Sequence, residues 1–320
     1  MAENFETVKG ASLWRDAWKR LLKNKLAVFG LIVLAIMVIA VIIGPAIIRW
    51  TTGVTADYIP AEGDLIKSFP PSAQHLMGTD EAGRDLLARV LQGGRISLMV
   101  GIISTMVSLI VGVSYGAIAG YFGGRIDNIM MRIVDIIYAI PYILIVIVLL
   151  SVFGGPNTPR WIGFLAERFG GVGNQGLAQI FLLFFALGLV SWLTMARVVR
   201  GQILSLKNQE FVMAAKATGV STFGIIFRHL IPNALGPVIV YATLTVPSVM
   251  LTEAFLSYLG LGVQAPYASW GSLASDGVKN IAIFPWQMIF PGVTMALTLF
   301  SLNFLGDGLR DALDPQTRKF

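Results

Sequence analysis

Residues 26–48, LAVFGLIVLAIMVIAVIIGPAII, contain no charged side chain. A helix over that stretch rises about 35 Å at about 1.5 Å per residue, enough to cross a hydrocarbon core about 30 Å thick. Inside lipid every backbone polar group needs a partner within the protein, so such a chain must be built from helices or a closed barrel. A continuous apolar run, rather than an alternating one, selects helices. The run follows a basic region, as a signal peptide would. It is too long for an apolar signal core of about 7–15 residues, and no small-residue cleavage pattern follows it, so a retained span is expected.

The remaining chain repeats the pattern. Only 13% of its 320 residues are charged, against about 25% in soluble domains. Further apolar runs predict spans over 96–119, 131–152, 177–195, 238–258 and 287–305, six in all. An even number puts both termini on one side. With the N-terminus inside, Lys and Arg divide 16 inside to 8 outside, as the positive-inside rule requires. The expected layout is a cytoplasmic segment 1–25, a first span 26–48, an extracytoplasmic loop 49–95, a five-span core 96–305 and a cytoplasmic tail 306–320. The net charge of +6 sits beside the apolar runs rather than on one soluble face, which argues against nucleic acid as a partner. There is no cysteine, and the two histidines, His75 and His229, fall on opposite sides of the membrane, so no metal site is expected.

Three polar segments carry local structure. From Leu13 onward, Leu13, Trp14, Ala17, Trp18, Leu21 and Leu22 share a helical stripe opposite Arg15, Lys19, Arg20 and Lys23. That helix either lies on an anionic membrane face or is a basic flank to the first span. The outer loop holds a short helix, with Thr79 and Asp80 as caps, Leu86, Leu87, Val90 and Leu91 as its apolar side, and Asp85–Arg89 as an i,i+4 pair. Residues 120–128 read as a short turn and 153–176 as an outer loop. The third segment, 197–237, is the longest polar and basic stretch in the second half. Within it Asn208 suits an N-cap and Glu210 a first turn, while Phe211, Ala214, Ala215 and Thr218 recur at helical spacing. Gly219 suits the position just past the C-terminus, and Pro232 predicts a break before the fifth span. By periodicity this helix is either an interfacial connector or a surface on which another protein pushes. No G-x-x-x-x-G-K-[ST] stretch occurs, so ATP chemistry is not encoded here.

The spacing of Ala214-Ala215, Gly219 and Ile231-Pro232 resembles the EAA signature of permease subunits of ABC importers: E-A-A, three residues, Gly, nine residues, I-x-L-P. Here Met213 occupies the Glu position, His229 the first Ile position and Ile231 the Leu position. The likeness runs along nearly the whole chain, through MGTDEAGRDLLARVLQGGRISL (77–98), GYFGGRIDNIMMRIVDIIYAIP (120–141), VRGQILSLKNQEFVMAAKATG (199–219), RHLIPN (228–233), LTEAFLSYLGLG (251–262) and NFLGDGLRDALDP (303–315). These blocks resemble the C-type permease subunit of the oligopeptide/dipeptide/nickel importer family. The resemblance implies an all-α membrane protein of the type I importer permease fold, with six transmembrane helices and both termini cytoplasmic, in a bacterial cytoplasmic membrane. It implies a non-catalytic subunit that binds no cofactor itself. Its partners would be a second, B-type permease subunit, two ATP-binding subunits that carry ATP and Mg, an extracytoplasmic peptide-binding protein, a peptide substrate and membrane lipid. The residues it assigns to ATPase coupling are Asn208, Glu210, Phe211, Met213, Ala214, Ala215, Gly219 and Pro232.

Glu253 and Asp135 are ionisable groups inside predicted spans and so candidates for the translocation pathway, together with Tyr138 and Pro141. Each acid has a structural alternative: a hydrogen bond to neighbouring helices for Glu253, a pair with Arg132 for Asp135. Pro141, Pro247 and Pro291 are either hinges or prolines of the kind spans tolerate. Asp80, Glu81, Arg84, Asp85 and Arg89 suit either a face for the peptide-binding protein or a packed scaffold. Asn303, Asp307, Arg310 and Asp311 read as a cytoplasmic anchor. The other function class is an ion-coupled secondary transporter, for which only Asp135 and Glu253 are available; hydrolase motifs are missing. Within the family, dipeptides or nickel chelates are alternatives to oligopeptides.

Overall fold

The computed structural model describes residues 13–59, 68–154, 157–170 and 175–313. The expectations for 1–12 and for the tail beyond 313 lie outside the described residues. Among those described, the elements are helical throughout, joined by turns and a single isolated β-bridge between Thr79 and Asp85. The first helix, α1 (Leu13–Leu21), turns at Asn24 into α2 (Lys25–Thr52). The Asn24 side chain accepts from the amides of Leu26 and Ala27 at 3.1 and 3.2 Å. At the far end Gly53, at φ 70°, supplies the left-handed residue that closes α2.

The second span is far longer than expected. Helix α3 (Leu86–Phe122) has 37 residues, about 55 Å at about 1.5 Å each. The short outer helix of the sequence reading is therefore not a separate element: its apolar residues form the first turns of the span. Its cap is also different. Asp85, not Thr79 or Asp80, accepts from the Ala88 amide at 2.8 Å. Asp80 instead takes Arg84 Nε at 2.7 Å and Arg89 Nη1 at 2.6 Å, so Arg89 pairs across the loop rather than with Asp85.

The sequence places a third span over 131–152. The structure breaks it at Ala139–Pro141 into α4 (Gly124–Tyr138) and α5 (Tyr142–Phe153), bent by 83°. Proline cannot donate to the preceding turn and restricts the residue before it, which suffices to end α4 there. An outer helix α6 (Arg160–Gly170) follows, then α7 (Gln175–Leu206). Beyond α7 come α8 (Glu210–Ala217), one turn α9 (Thr222–Gly224), a π-helical run Ile225–Leu230, and α10 (Ile231–Tyr258). Helices α11 (Trp270–Lys279) and α12 (Trp286–Leu313) complete the described chain.

Five helices are long and apolar enough to span, and the bent pair makes six if it counts as one crossing. Packing decides the count. Ala17 and Leu21 of α1 are buried against Ala312 and Leu309 at the end of α12, so the start of α2 and the end of α12 lie at the same end of the bundle. Only an even number of crossings allows that.

The core runs along α3 and α7. Gly112, Gly116 and Gly120 form a small-residue seam on α3. A Cβ on Gly112 would lie 2.6 Å from Met195 Cβ, one on Gly120 would lie 2.9 Å from the Arg200 oxygen, and one on Gly116 would collide with the Ala196 carbonyl. Those glycines set how close the two helices approach. Near the other end, Arg95 on α3 donates to the carbonyls of Val41 at 2.6 Å and Ile42 at 2.5 Å on α2. Val41 lies four residues before Pro45, whose missing N–H leaves that carbonyl without its helical partner. The guanidinium takes its place.

Candidate functional site: a docking helix and a hydroxyl-lined groove

The polar segment 197–237 is not a loop. Helix α7 runs on through Arg197 and Arg200 to Leu206, and residues 222–258 form one continuous helical rod, so only short links flank α8. Pro232 does not break that rod. It sits in the first turn of α10, directly after the π segment, where wider hydrogen-bond spacing relieves the missing N–H and the ring clash.

Helix α8 is held by one face. Val212 is fully buried and Ala215 nearly so, packed on Val199, Ile203, Ile225, Ile226 and Leu230. Lys207 Nζ donates to the Gly120 carbonyl at 3.1 Å, and the Lys216 ammonium lies 5.6 Å above the Tyr121 ring. At the far end Gly219 has φ 78°. Its amide donates to Lys216 and that of Val220 to Ala215, each at 3.0 Å, the paired bonds of a Schellman ending. Gly219 therefore holds the expected C′ position. Two other expectations fail. Gln209, not Asn208, is the N-cap residue, and its side chain makes no cap bond. The predicted common face splits: Ala215 points into this chain's own core, while Phe211, Ala214 and Thr218 are exposed alongside Glu210 and Met213. A true helical stripe of four would bury Ala215 with its neighbours; the actual burial pair, Val212 and Ala215, is three apart and one position off.

The second feature lies deeper. A half-open groove of about 520 Å³ is bounded by the bend at 139–141, α7 and α10. Of the four pathway candidates, Tyr138 and Pro141 line it. Asp135 and Glu253 are not among its lining residues. The groove carries eight hydroxyls, from Tyr138, Tyr142, Ser191, Thr194, Tyr241, Thr245, Ser248 and Thr252, and no charged side chain. Several are linked: Tyr138 with Thr194, Tyr142 with Ser191 and Thr252, and Tyr241 with Thr194. The signal was present in the sequence. Tyr241, Thr245, Ser248 and Thr252 fall four, three and four apart, a hydroxyl stripe along an otherwise apolar span.

The two acids have other work. Asp135 accepts from Arg197 Nη2 at 2.8 Å, not from Arg132, and the same guanidinium lies 4.2 Å over the Tyr138 ring. About two turns earlier on α4, Asp127 receives both Arg200 Nε and Nη2 at 2.5 and 2.6 Å. Two arginines of α7 thus clamp α4. Glu253 is buried, and its Oε1 accepts from Ser257 at 2.7 Å and Ser269 at 2.6 Å. Ser269 is also the N-cap of α11 and accepts from the Ser272 amide at 3.0 Å. Glu253 thus links α10 to the first turn of α11 through Ser269.

Residues 112–319 match the family model described as "Binding-protein-dependent transport system inner membrane component", and residues 12–62 match the "N-terminal TM domain of oligopeptide transport permease C". The chain belongs to this transport family. An oligopeptide transport system permease protein of Escherichia coli is 46% identical over 99% of this chain and 96% of its own length. The corresponding Haemophilus influenzae protein is 45% identical over 97% and 91%. A dipeptide transport system permease protein of Bacillus subtilis is 43% identical over 98% and 90%. Among solved structures, a chain of the MetNI methionine ABC transporter, in inward-facing conformations, gives a TM-score of 0.49 at 16% identity, covering 70% of this chain and 96% of that one. As a family member the chain is a multi-pass membrane permease subunit of an ABC transporter, all-α in fold, and the groove and α8 are features of that subunit.

Proposed function

We propose that this chain moves oligopeptides across the bacterial cytoplasmic membrane as one half of a permease pair, driven by ATPase subunits that dock on α8. The observation that carries this reading is the mounting of α8: one face is bolted to α7 and the π segment, while Phe211, Met213 and Ala214 stand exposed. A partner cleft closing on those side chains would move α7 and the 222–258 rod together, because the links between them are short. The groove lies between those two elements and the bend, so their joint motion relative to the bend opens or closes it, as rigid-body switching does. A second permease subunit covers its open side. An extracytoplasmic binding protein supplies the peptide, and ATP and Mg reside on the ATPase subunits.

The groove chemistry favours peptides as a class. Hydroxyls donate to peptide carbonyls and accept from peptide amides, groups every peptide carries. A groove without fixed charge imposes no preference on substrate side-chain charge. Asp135 pairs with Arg197, and Glu253 accepts from Ser257 and Ser269, contacts that call for no coupling ion. Dipeptides and nickel chelates are the competing substrates within the same role.

The test is ATP-dependent uptake of a labelled peptide by proteoliposomes holding the complete complex. Ala214→Arg and Phe211→Ala are expected to lower uptake at least tenfold while the subunit remains folded, since both positions are exposed. Ala215→Arg is no such probe, because it forces a charge into the core and unfolds the site. Uptake driven by a proton gradient without ATP, or full uptake by Ala214→Arg, would overturn the proposal.

A further inference from the structure

Helix α1 is amphipathic in three arcs rather than two. Ala17 and Leu21 face α12; Leu21 is 2% exposed and packs so closely that a Cβ on Gly308 would lie 3.0 Å from Leu21 Cδ1. Turning around the helix, Trp18 and Leu22 come next, exposed at 51% and 49%. Beyond them lie Arg15, Lys19 and Lys23, all exposed, and Lys25 is exposed at the corner. Past the turn at Asn24, Leu26, Phe29, Ile32 and Ile36 of α2 are between 52% and 59% exposed, the uncharged surface a span presents to hydrocarbon.

We propose that α1 and its corner with α2 form a binding site for anionic phospholipid. The headgroups are held by Arg15, Lys19 and Lys23, and Trp18 and Leu22 sit at the boundary between headgroups and acyl chains. Charge complementarity selects an anionic headgroup. The exposed apolar residues on both sides of the corner, Trp18 and Leu22 before it and Leu26 and Phe29 after it, select a lipid over a soluble protein, because α2 enters hydrocarbon directly after them. The site needs only that the chain spans a membrane; it does not depend on peptide as substrate or on ATPase docking.

The experiment uses the full chain, with any partners that co-purify, in vesicles of phosphatidylcholine with a small fraction of acyl-brominated phosphatidylglycerol. Bromine quenches nearby tryptophan, and subtraction of the Trp18→Phe protein isolates Trp18. Quenching by brominated phosphatidylglycerol is expected to exceed that by brominated phosphatidylcholine at the same fraction. Each cation near the surface contributes about fivefold in affinity, so the triple variant Arg15→Gln, Lys19→Gln, Lys23→Gln should raise the half-quenching fraction at least tenfold. These positions are exposed, and unchanged thermal unfolding of the variant confirms that α1 stays docked. Equal quenching by the two lipids overturns the headgroup site. Absence of quenching by either shows that a protein covers Trp18, and also overturns it.

Discussion

Asp135, Arg197 and Tyr138 give the sharpest prediction, because they join the bend of the third crossing to α7 at the edge of the groove. The ion pair is at 2.8 Å with side chains 42% and 56% exposed, so its contribution is that of a solvated pair, about 0.2–1 kcal/mol. The guanidinium over the Tyr138 ring adds about 0.5–1 kcal/mol at an exposed site. Together they bias the conformation that contains them by about 1–2 kcal/mol, a population factor of about 5–30. The chain has no cysteine, so nitroxide labels on introduced Cys at Arg125 and Gly201, both exposed, report the α4–α7 distance without background. Asp135→Asn and Arg197→Gln should each reduce the population at the described separation. The double variant should be little worse than Arg197→Gln alone, and raising salt should weaken the wild type toward Asp135→Asn. Additive effects in the double variant, or a distance distribution that ignores all three substitutions, would refute the idea that these side chains hold α4 to α7.

Two further outcomes follow from hydrogen-bond accounting. Arg95→Met should destabilise the reconstituted chain by about 1.5–3 kcal/mol, measured as reversible unfolding in bicelles, and Pro45→Ala in that background should recover part of the loss by giving Val41 a backbone donor. Glu253→Gln should retain transport, because its amide oxygen still accepts from Ser257 and Ser269, whereas Glu253→Leu leaves both hydroxyl protons without this acceptor and should cost about 1–3 kcal/mol; loss of transport in a stable Glu253→Gln protein would place the acid in the pathway.

The spans were legible because bilayer thickness imposes a length and a composition on each. Their ends were not. Helix α3 begins ten residues before the predicted second span and α7 ends eleven after the predicted fourth, because helices that leave lipid continue where polar side chains find partners. Local spacing misassigned Asp135 to Arg132: a neighbour at i−3 is visible in sequence, whereas Arg197 is 62 residues away. Pro232 misled for the reverse reason, since the rule that proline ends helices does not anticipate a π segment that absorbs it. On α8 the motif located the helix and Gly219 but not which alanine faces inward, which depends on Ile225, Ile226 and Leu230 arriving from beyond the turn. The groove is not legible from the charged residues, because its walls carry hydroxyls.

Three residues separate α7 from α8 and four separate α8 from α9. There is no slack in either link. Adding one residue to the end of α7 would turn α8 by about 100° and advance it by about 1.5 Å, rolling Val212 and Ala215 out to solvent and carrying Phe211 inward. Chain length between Gly120's contact on α7 and Gly219 is thus as constrained as any side chain there. Relatives of this protein are expected to keep the number of residues in α8 and its two links fixed.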